Sequence, residues 1–317
     1  MSILDAVRPS CRLVAERARH VRITTEEIVP DRYPKTLPLG ESGRPQFDAA
    51  HHFRGGIDET VGYVLCLDSI NFGSGWFPAM TKRPGLSGYF TVSTSLKERF
   101  ERDGGWSAHQ LAALTAGEIA EVLGQTGNPA VGALMTLFAT SLNDLGRWVI
   151  DRFGGHYPAV PEEAGGSAVA LVDLLTEMPM FRDTASYRGL DLWFLKRAQL
   201  TAVDLSLAFD GGPPARFGDL DRLTIFADNL VPHVLRTDGL LTYSTELAEA
   251  VAAGRLLPAG SEQEVEIRAC AVHAVELLVQ QLAGRASAAD LDYLLWNKGQ
   301  HPAYRNLPRH RTRTTNY

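Results

Sequence analysis

Apolar residues recur at intervals of three and four along most of this chain, which is the spacing of amphipathic helices. In residues 129–155 the apolar positions share one helical face: Val131, Leu134, Met135, Phe138, Leu142, Leu145 and Val149. Gly154 follows this run, and glycine readily adopts the left-handed conformation that ends many helices. The pattern therefore predicts one long amphipathic helix that is closed by Gly154.

Capping patterns predict where further helices begin. A hydroxyl stands three residues before a carboxylate, the spacing of a capping box, at Thr115 and Glu118, Ser261 and Glu264, and Ser287 and Asp290. Ser167 predicts the start of another helix over residues 167–178, and Pro179 predicts where it stops.

The remaining patterns are helix-like, with weak strand signals. Helical spacing extends over residues 56–73, 190–209 and 217–229, and residues 231–254 are typical of a helix, a turn and a second helix. Only residues 20–26 and 87–95 alternate weakly, as a short strand does. We therefore predict a mainly α, compact helical fold with at most a small strand pair.

No internal repeat, low-complexity segment or linker interrupts the chain. We expect one domain over residues 1–317, in which two helical lobes can enclose a cleft.

Composition and charge narrow the classes of function. The 317 residues carry a formal charge of −6, which argues against a broad nucleic-acid surface. Cysteine occurs only at Cys11, Cys66 and Cys270, with no CxxC pair, so we expect neither a disulfide framework nor a zinc ribbon. No secretory signal or membrane-length apolar run is found, and we expect a cytoplasmic protein without membrane partners.

One carboxylate stands inside an otherwise apolar helical run, residues 290–299. Asp292 lies among leucines and four residues before Trp296, on the same helical face. Either Asp292 faces solvent opposite the leucines, or it is a buried carboxylate beside an aromatic platform. The second arrangement requires hydrogen bonds or a cation, because an unpaired buried charge is very costly.

Two further stretches combine aspartate with aromatic residues. Phe226 and Asp228 precede a proline break, where Asp228 either faces a cleft or caps the next helix. Asp68 and Asn71 lie before a glycine-rich turn, and either line a site or hold the turn as a buried polar network.

The basic and histidine-containing stretches leave alternatives open. Adjacent His51 and His52 point in different directions, and no metal-binding spacing occurs, so we expect no metal. Lys196 and Arg197 either bind an anion or extend their charged ends to solvent. The tail is a solvated extension, a packed strap or a phosphate-binding segment, with arginines at 305, 309, 311 and 313. No GxGxxG, P-loop or GxSxG motif is found.

Five stretches, taken together and in this order, resemble the queuosine salvage proteins, which are queuosine 5′-phosphate N-glycosylase/hydrolases. They are LDSINFGSGWF, LWFLKRAQL, LTIFADNLVPHVLR, EVEIRACAVHAVELL and LDYLLWNKGQ, within a resemblance from about residue 45 to the C-terminus. The resemblance implies a fold akin to the helix-hairpin-helix DNA glycosylases. It also implies hydrolysis of queuosine 5′-monophosphate to queuine and ribose 5-phosphate, without a metal or organic cofactor.

The resemblance also implies roles for individual residues. Asp292 would be the nucleophile or the stabiliser of the transition state, while Phe226 stacks on the base and Asp228 reads its edge; the two aspartates could exchange roles. His51, Trp296 and Asn297 would form further walls of the site, although an acidic residue is expected where Asn297 stands. The histidine doublet leaves His52 as the alternative to His51. Lys196 would bind the phosphate or tune an aspartate, with Asn71 and Asp68 behind the residues that touch the ligand.

Two rival functions follow from the same residues. The helix-turn-helix pattern near 232–253 and the arginine-rich tail fit a DNA or RNA base glycosylase, although the acidic charge opposes stable nucleic-acid binding. A non-catalytic queuine-binding protein would need the aromatic site but no reactive carboxylate.

Overall fold

The computed structural model describes residues 2–24 and 46–317, and within them helices dominate. The longer helices are α1 (Val7–Arg17), α2 (Ile57–Ser69), α3 (Gly88–Asp103), α6 (Gly132–Phe153), α9 (Lys196–Ala208), α12 (Glu262–Leu282) and α13 (Ala288–Gln300). The shorter helices are α4 (Ala108–Ala113), α5 (Ala116–Val122), α7 (Ala159–Glu163), α8 (Ala168–Leu175), α10 (Val231–Thr237), α11 (Thr245–Ala252) and α14 (Pro302–Arg305). The prediction of a mainly α fold is confirmed.

Local capping explains most of the helix boundaries. Gly154 follows α6 with φ 60°, as the sequence predicted, and the capping boxes at Thr115 and Ser287 are both formed. Ser261 caps α12 only in part. Its hydroxyl accepts the Glu264 N–H, while the Glu264 carboxylate accepts from Gly260 instead of Ser261. A local side chain therefore determines where these helices begin or end.

Two antiparallel strand pairs are present in the described residues, where the sequence predicted at most one. β1 (Val21–Ile23) pairs with β4 (Leu241–Tyr243), so the candidate strand near residue 20 is confirmed for its first residues. Residues 25–26 of that candidate lie outside the described residues. β2 (Thr184–Tyr187) and β3 (Leu190–Trp193) form a hairpin through two residues with positive φ, Arg188 and Gly189, which matches the twist of paired strands. The helix predicted from residue 190 therefore starts only at Lys196.

The strand predicted at residues 87–95 is wrong, because this stretch belongs to α3. The Ser87 hydroxyl accepts the Phe90 N–H and starts the helix. Thr91, Val92, Ser95 and Leu96 are buried at helical spacing, so packing overrides the weak alternation of the sequence.

Residues 217–229 do not form the predicted helix. Apart from a short 3-10 turn at Leu220–Arg222, this stretch is non-helical, because side chains of other elements take its backbone groups. Gln199 Oε1 accepts the Thr224 N–H at 2.7 Å, and Asp292 accepts the Phe226 N–H at 2.7 Å. The helix, turn and second helix predicted over residues 231–254 are confirmed as α10, a turn at Gly239 and α11, although the short strand β4, which was not predicted, lies between the turn and α11.

The core is built around α12, which packs against α1, α10 and α13. Nearly all of its residues from Glu264 to Val275 are buried, so it contacts other elements on all sides. A second group of helices packs around α2, which contacts α3, α6 and α9. In the described parts of the chain, no helix combines the length and the apolar character needed to span a bilayer.

A buried ion pair joins α12 to the hairpin. The Arg268 guanidinium donates to both carboxylate oxygens of Asp183, at 2.9 and 2.6 Å, and its Nε donates to the Ala227 carbonyl at 2.9 Å. The side chain of Arg268 is 0% exposed and that of Asp183 is 4% exposed. The pair therefore fixes the non-helical stretch that contains Phe226 and Asp228.

Removing one member of this pair should destabilise the fold. Asp183→Asn leaves the Arg268 guanidinium buried without its bidentate partner, which typically costs about 3–5 kcal/mol of the free energy of unfolding. The matched control is Asp210→Asn, which breaks the exposed pair with Arg54 and should cost less than about 1 kcal/mol. Urea unfolding followed by circular dichroism measures both variants, and equal losses would contradict the structural role of the buried pair.

Candidate active site

A cavity of about 230 Å³ opens between α2, α9, α13 and the stretch 223–229. Seven of the predicted site residues line it: Asn71, Lys196, Phe226, Asp228, Asp292, Trp296 and Asn297. Residues that are far apart in sequence thus meet around one space, as the sequence analysis predicted.

Asp292 is buried at the inner wall of this cavity. Its side chain lies on α13, the residue is 5% exposed, and its Oδ1 accepts the Phe226 N–H at 2.7 Å. Burial and, to a lesser extent, the nearby Asp228 carboxylate raise the pKa of Asp292 to about 8, although the Phe226 N–H and Lys196 oppose this shift. The interpretation that Asp292 faces solvent is therefore wrong.

Asp228 combines the two roles that the sequence left open. Its Oδ1 accepts the Leu230 N–H at 2.7 Å and the Val231 N–H at 3.0 Å, so it caps α10. The same side chain is half-buried and lines the cavity. The cap holds the carboxylate in one orientation and leaves its Oδ2 for a ligand.

Lys196 lies deep in the site and does not extend to solvent. Its Nζ donates to the Asn71 carbonyl at 3.0 Å and to Asn71 Oδ1 at 2.9 Å, and the residue is 5% exposed. Burial lowers the pKa of Lys196, while the Asp228 and Asp68 carboxylates counteract the effect. Arg197 is also buried, between the rings of Phe72 and Phe181, so the snorkelling interpretation is wrong for both cations.

Asp204 is a further carboxylate of the cavity, and it was not predicted from the sequence. It lies on α9 two turns after Lys196 and lines the cavity, next to Asp68 of α2. Burial raises the pKa of Asp68 to about 7, and burial together with Asp68 raises the pKa of Asp204. The spacing 196, 200, 204 along one helical face was the signal in the sequence that would have found it.

Aromatic rings form the opposite wall. The ring of Trp296 lies 5.6 Å from the rings of both Tyr89 and Phe90. His52 lines the cavity, and its Nε2 is 2.8 Å from the Tyr89 hydroxyl. The assignment of His51 to the wall is wrong by one residue, because His51 is not among the lining residues and instead contacts Asp48 through Nδ1 at 2.7 Å.

The C-terminal tail is a packed strap and not a solvated extension. The Gly73 N–H donates to the Tyr317 carbonyl at 2.9 Å, and the Leu257 N–H donates to the Arg311 carbonyl at 2.8 Å. His310, Thr312 and Tyr317 are buried. Arg309 of this strap and Arg305 of α14 both line the cavity.

One group in the described residues has the spacing of a metal site, and it lies outside the cavity: His20, Glu262 and Glu266. Both carboxylates already have partners. Glu266 Oε2 accepts three backbone N–H groups and its Oε1 accepts the Tyr187 hydroxyl, while Glu262 pairs with Arg188. Because both carboxylates already have protein partners, we interpret this group as a structural one.

The cavity as a whole combines aromatic rings with carboxyl groups. Aromatic rings and buried carboxyl groups line the same space, and electrostatic interactions are strong between buried groups. The proximity of Lys196 to the aspartates limits the net negative charge of the site.

The raised pKa of Asp292 predicts a pH-dependent cost to stability. An unfolded aspartate has a pKa of about 4, so between that pH and about 8 the folded state retains the proton and the free energy of unfolding falls as pH rises. Asp292→Asn removes this titration. The stability of the variant relative to the parent protein should therefore improve by about 1–3 kcal/mol between pH 5 and pH 8.

Urea unfolding at both pH values measures this difference. Exposed Asp191→Asn is the control, for which the two pH values should give the same small change. If Asp292→Asn behaved like this control, Asp292 would not be the buried, protonated group described here.

Comparison with known proteins identifies the family. The family model described as queuosine salvage protein matches residues 51–317. A protein of Sphaerobacter thermophilus, named queuosine 5′-phosphate N-glycosylase/hydrolase, is 36% identical over 98% of this chain and 97% of its own length. Relatives of the same name are 29% identical in Mus musculus, over 98% of both chains, and 32% identical in Dictyostelium discoideum, over 81% of this chain and 78% of that protein. The chain therefore belongs to the queuosine salvage protein family.

Proposed function

We propose that this protein hydrolyses the N-glycosidic bond of queuosine 5′-phosphate and releases queuine and ribose 5-phosphate. The observation that carries the proposal is the buried Asp292 carboxyl, which the Phe226 backbone orients towards a cavity with aromatic walls. The names of the relatives support this choice of substrate.

In this proposal, Phe226 and Asp228 bind the base. Queuine is a 7-deazaguanine, whose Watson–Crick edge offers N–H donors from the ring and from the exocyclic amine. The free Oδ2 of Asp228 can accept from this edge, while the rings of Phe226 and Trp296 provide stacking surfaces worth about 1–3 kcal/mol per stacked base. The backbone cap on Asp228 Oδ1 makes this carboxylate a rigid reader of the edge.

The chemistry of the leaving base assigns the main catalytic role to Asp292. Position 7 of a 7-deazaguanine is carbon, so protonation at this position cannot activate the base as it does in guanosine. Cleavage then depends on stabilising the positive charge that develops on the ribose ring. The bonding electron pair leaves with the base on N9, and an ionised Asp292 stabilises the cation directly or attacks it as a nucleophile. Water then supplies its hydroxyl group to the anomeric carbon and its remaining proton to the departing base, which yields ribose 5-phosphate and neutral queuine.

Lys196 has a supporting role in this proposal. Its ammonium is committed to Asn71 and lies among carboxylates, so it favours the ionised form of Asp292. The N–H groups of a bound base would act in the same direction, because they offset the Asp228 charge that raises the pKa of Asp292. Lys196 is thus a positioning residue, and the phosphate requires another partner.

Catalytic loss in one variant tests the function directly. Wild-type protein incubated with queuosine 5′-phosphate should release free queuine, measured by chromatography. Asp292→Asn should reduce kcat by about 100- to 1,000-fold, because it removes one preorganised electrostatic group from a dry site. The exposed Asp191→Asn variant is the matched control and should retain normal turnover.

Queuine binding separates the roles of the two aspartates. Asp228→Ala should weaken the binding of queuine, measured by calorimetry, whereas Asp292→Asn should leave it within a few-fold. The opposite result would exchange the two roles. Wild-type protein that binds queuine but never releases it from the nucleotide would instead support a non-catalytic binding protein.

The pH dependence of catalysis tests the role of Lys196. If ionised Asp292 is required, kcat/KM should rise by about tenfold per pH unit below the Asp292 pKa of about 8 and level off above it. Lys196→Met removes a nearby cation, so the profile should shift to higher pH, and Lys196→Arg should restore most of the shift. A profile that is unchanged in Lys196→Met would contradict this electrostatic role.

A further inference from the structure

A ligand has to pass from solvent to the inner end of the cavity, where Asp292 and Lys196 are each 5% exposed. Three walls of the cavity are helices of the core, α2, α9 and α13. The stretch 223–229 is held by hydrogen bonds with side chains of other elements, among them Gln199 and Arg268. These walls move only if buried contacts break, so a path for the ligand requires a less firmly attached wall.

One wall of the cavity is a loop without helix or strand, residues 46–52, which we call the gate loop. Four of its residues line the cavity: Gln46, Phe47, Asp48 and His52. Among the described residues, its backbone–backbone hydrogen bonds are internal and run from the N–H groups of His51 and His52 to the Asp48 carbonyl. Side chains, and not a shared backbone ladder, therefore attach this loop to the fold.

Two cationic side chains fasten the gate loop from its solvent side. Lys97 of α3 donates to the Ala49 carbonyl at 2.6 Å and to the Ala50 carbonyl at 3.3 Å, and both alanines are exposed. The guanidinium carbon of Arg54 lies 4.3 Å from the centre of the Phe47 ring, as in a cation–π contact. Neither contact involves a residue of the inner end of the cavity.

Arg54 is in turn bound to the end of α9. It donates to both carboxylate oxygens of Asp210, at 3.0 and 3.2 Å, and to the Leu207 carbonyl at 2.9 Å. The side chains of Arg54 and Asp210 are 37% and 77% exposed, so water competes for these contacts and the pair is weak. Such a fastening can open while the core stays intact.

The end of the gate loop is anchored at Phe53. This residue is 9% exposed, and its ring centre lies 5.7 Å from that of Tyr63 and 5.5 Å from that of Phe100. On the cavity side, the loop rests against aromatic residues of α3, with His52 Nε2 2.8 Å from the Tyr89 hydroxyl. A buried anchor at one end and exposed fastenings along the loop are the arrangement of a hinged loop.

We propose that the gate loop opens about Phe53 to admit the nucleotide and to release queuine, and that Arg54 and Lys97 keep it closed between these events. The inference deepens the proposed function, on which it rests for the identity of the ligand. In the closed position the loop keeps bulk water away from the carboxyl groups of the inner end while the glycosidic bond is cleaved.

The binding kinetics of queuine distinguish a gate from a fixed wall. If the ligand enters and leaves only through the open form, a weaker fastening raises the association and dissociation rate constants by the same factor and leaves Kd unchanged. Arg54→Gln and Lys97→Met should each raise both rate constants by about three- to tenfold, the effect of one lost, partly exposed charged contact. Stopped-flow tryptophan fluorescence measures both constants, because Trp296 lines the cavity.

Arg83→Gln is the matched control for these variants. It breaks another exposed ion pair of α3, between Arg83 and Glu98, and neither residue lines the cavity. Both rate constants should stay at the wild-type values in this variant.

A thiol probe measures opening in the absence of a ligand. Ala289 lines the cavity and is 8% exposed, whereas the three native cysteines are buried. In Ala289→Cys protein, the rate of alkylation by iodoacetamide follows the population of the open form. Adding Arg54→Gln or Lys97→Met should raise this rate by about three- to tenfold, and adding Arg83→Gln should not change it. Leu200→Cys, in the cavity wall on α9, repeats the measurement at a second position.

A fixed wall would give a different result. Faster dissociation with unchanged association would show that the loop only contacts the ligand, and this result would overturn the gate. Alkylation that is unaffected by Arg54→Gln and Lys97→Met would overturn it as well. If queuine does not bind the wild type, the proposed function fails, while the alkylation rates still decide whether the loop opens.

Discussion

The buried ion pair between Arg268 and Asp183 determines the position of most of the site. Arg268 lies between the rings of Phe194 and Tyr317, with its guanidinium carbon 3.9 and 4.7 Å from their centroids. Asp183 Oδ2 also accepts the backbone N–H of Lys196 at 3.1 Å, and the Ala227 carbonyl receives the Arg268 Nε. One network thus connects α12, the hairpin, the start of α9 and the C-terminus.

Such a network is stable only because its buried polar groups have hydrogen-bond partners. Taking a guanidinium and a carboxylate out of water costs several kcal/mol per ion unless hydrogen bonds replace the lost solvation. Here the bidentate contact, the carbonyl and the two aromatic faces provide that replacement. The same contacts hold residues 226–228 in a non-helical conformation, so the fold supplies an orientation that this stretch would not adopt by itself.

The electrostatics of the cavity depend on the elements that this hydrogen-bond network holds in place. Asp292 and Asp228 approach one another on separate elements, and Asp68 and Asp204 form a second pair behind Lys196. Burial raises the pKa of Asp292 and of Asp68, which favours the protonated forms of both carboxyl groups. Carboxyl groups therefore dominate the inner end of the cavity, where Lys196 lies among them.

Local signals predicted the local features of this structure. Caps at Thr115 and Ser287 and the glycine after α6 were readable because each depends on neighbours within four residues. The strand assigned to residues 87–95 and the helix assigned to 217–229 failed because distant packing decided them. For residues 217–229, the decisive partners were Gln199 and Asp292.

The predictions for the site divide in the same way, into those that depend on local sequence and those that depend on packing. The resemblance to a family located seven lining residues, but spacing alone favoured a solvent-facing Asp292, since its burial depends on how α13 packs against α10 and α12. The choice of His51 over His52 depended on the direction of two adjacent side chains, which the sequence does not encode locally. Asp204 was missed although its helical spacing from Lys196 was visible.

A crystal structure of the Asp292→Asn variant with intact queuosine 5′-phosphate tests the central claim most directly. The account predicts the base between Phe226 and Trp296, its Watson–Crick edge on Asp228, and the anomeric carbon about 3–3.5 Å from the side chain of residue 292. A base bound elsewhere, or an anomeric carbon out of reach of residue 292, would contradict it.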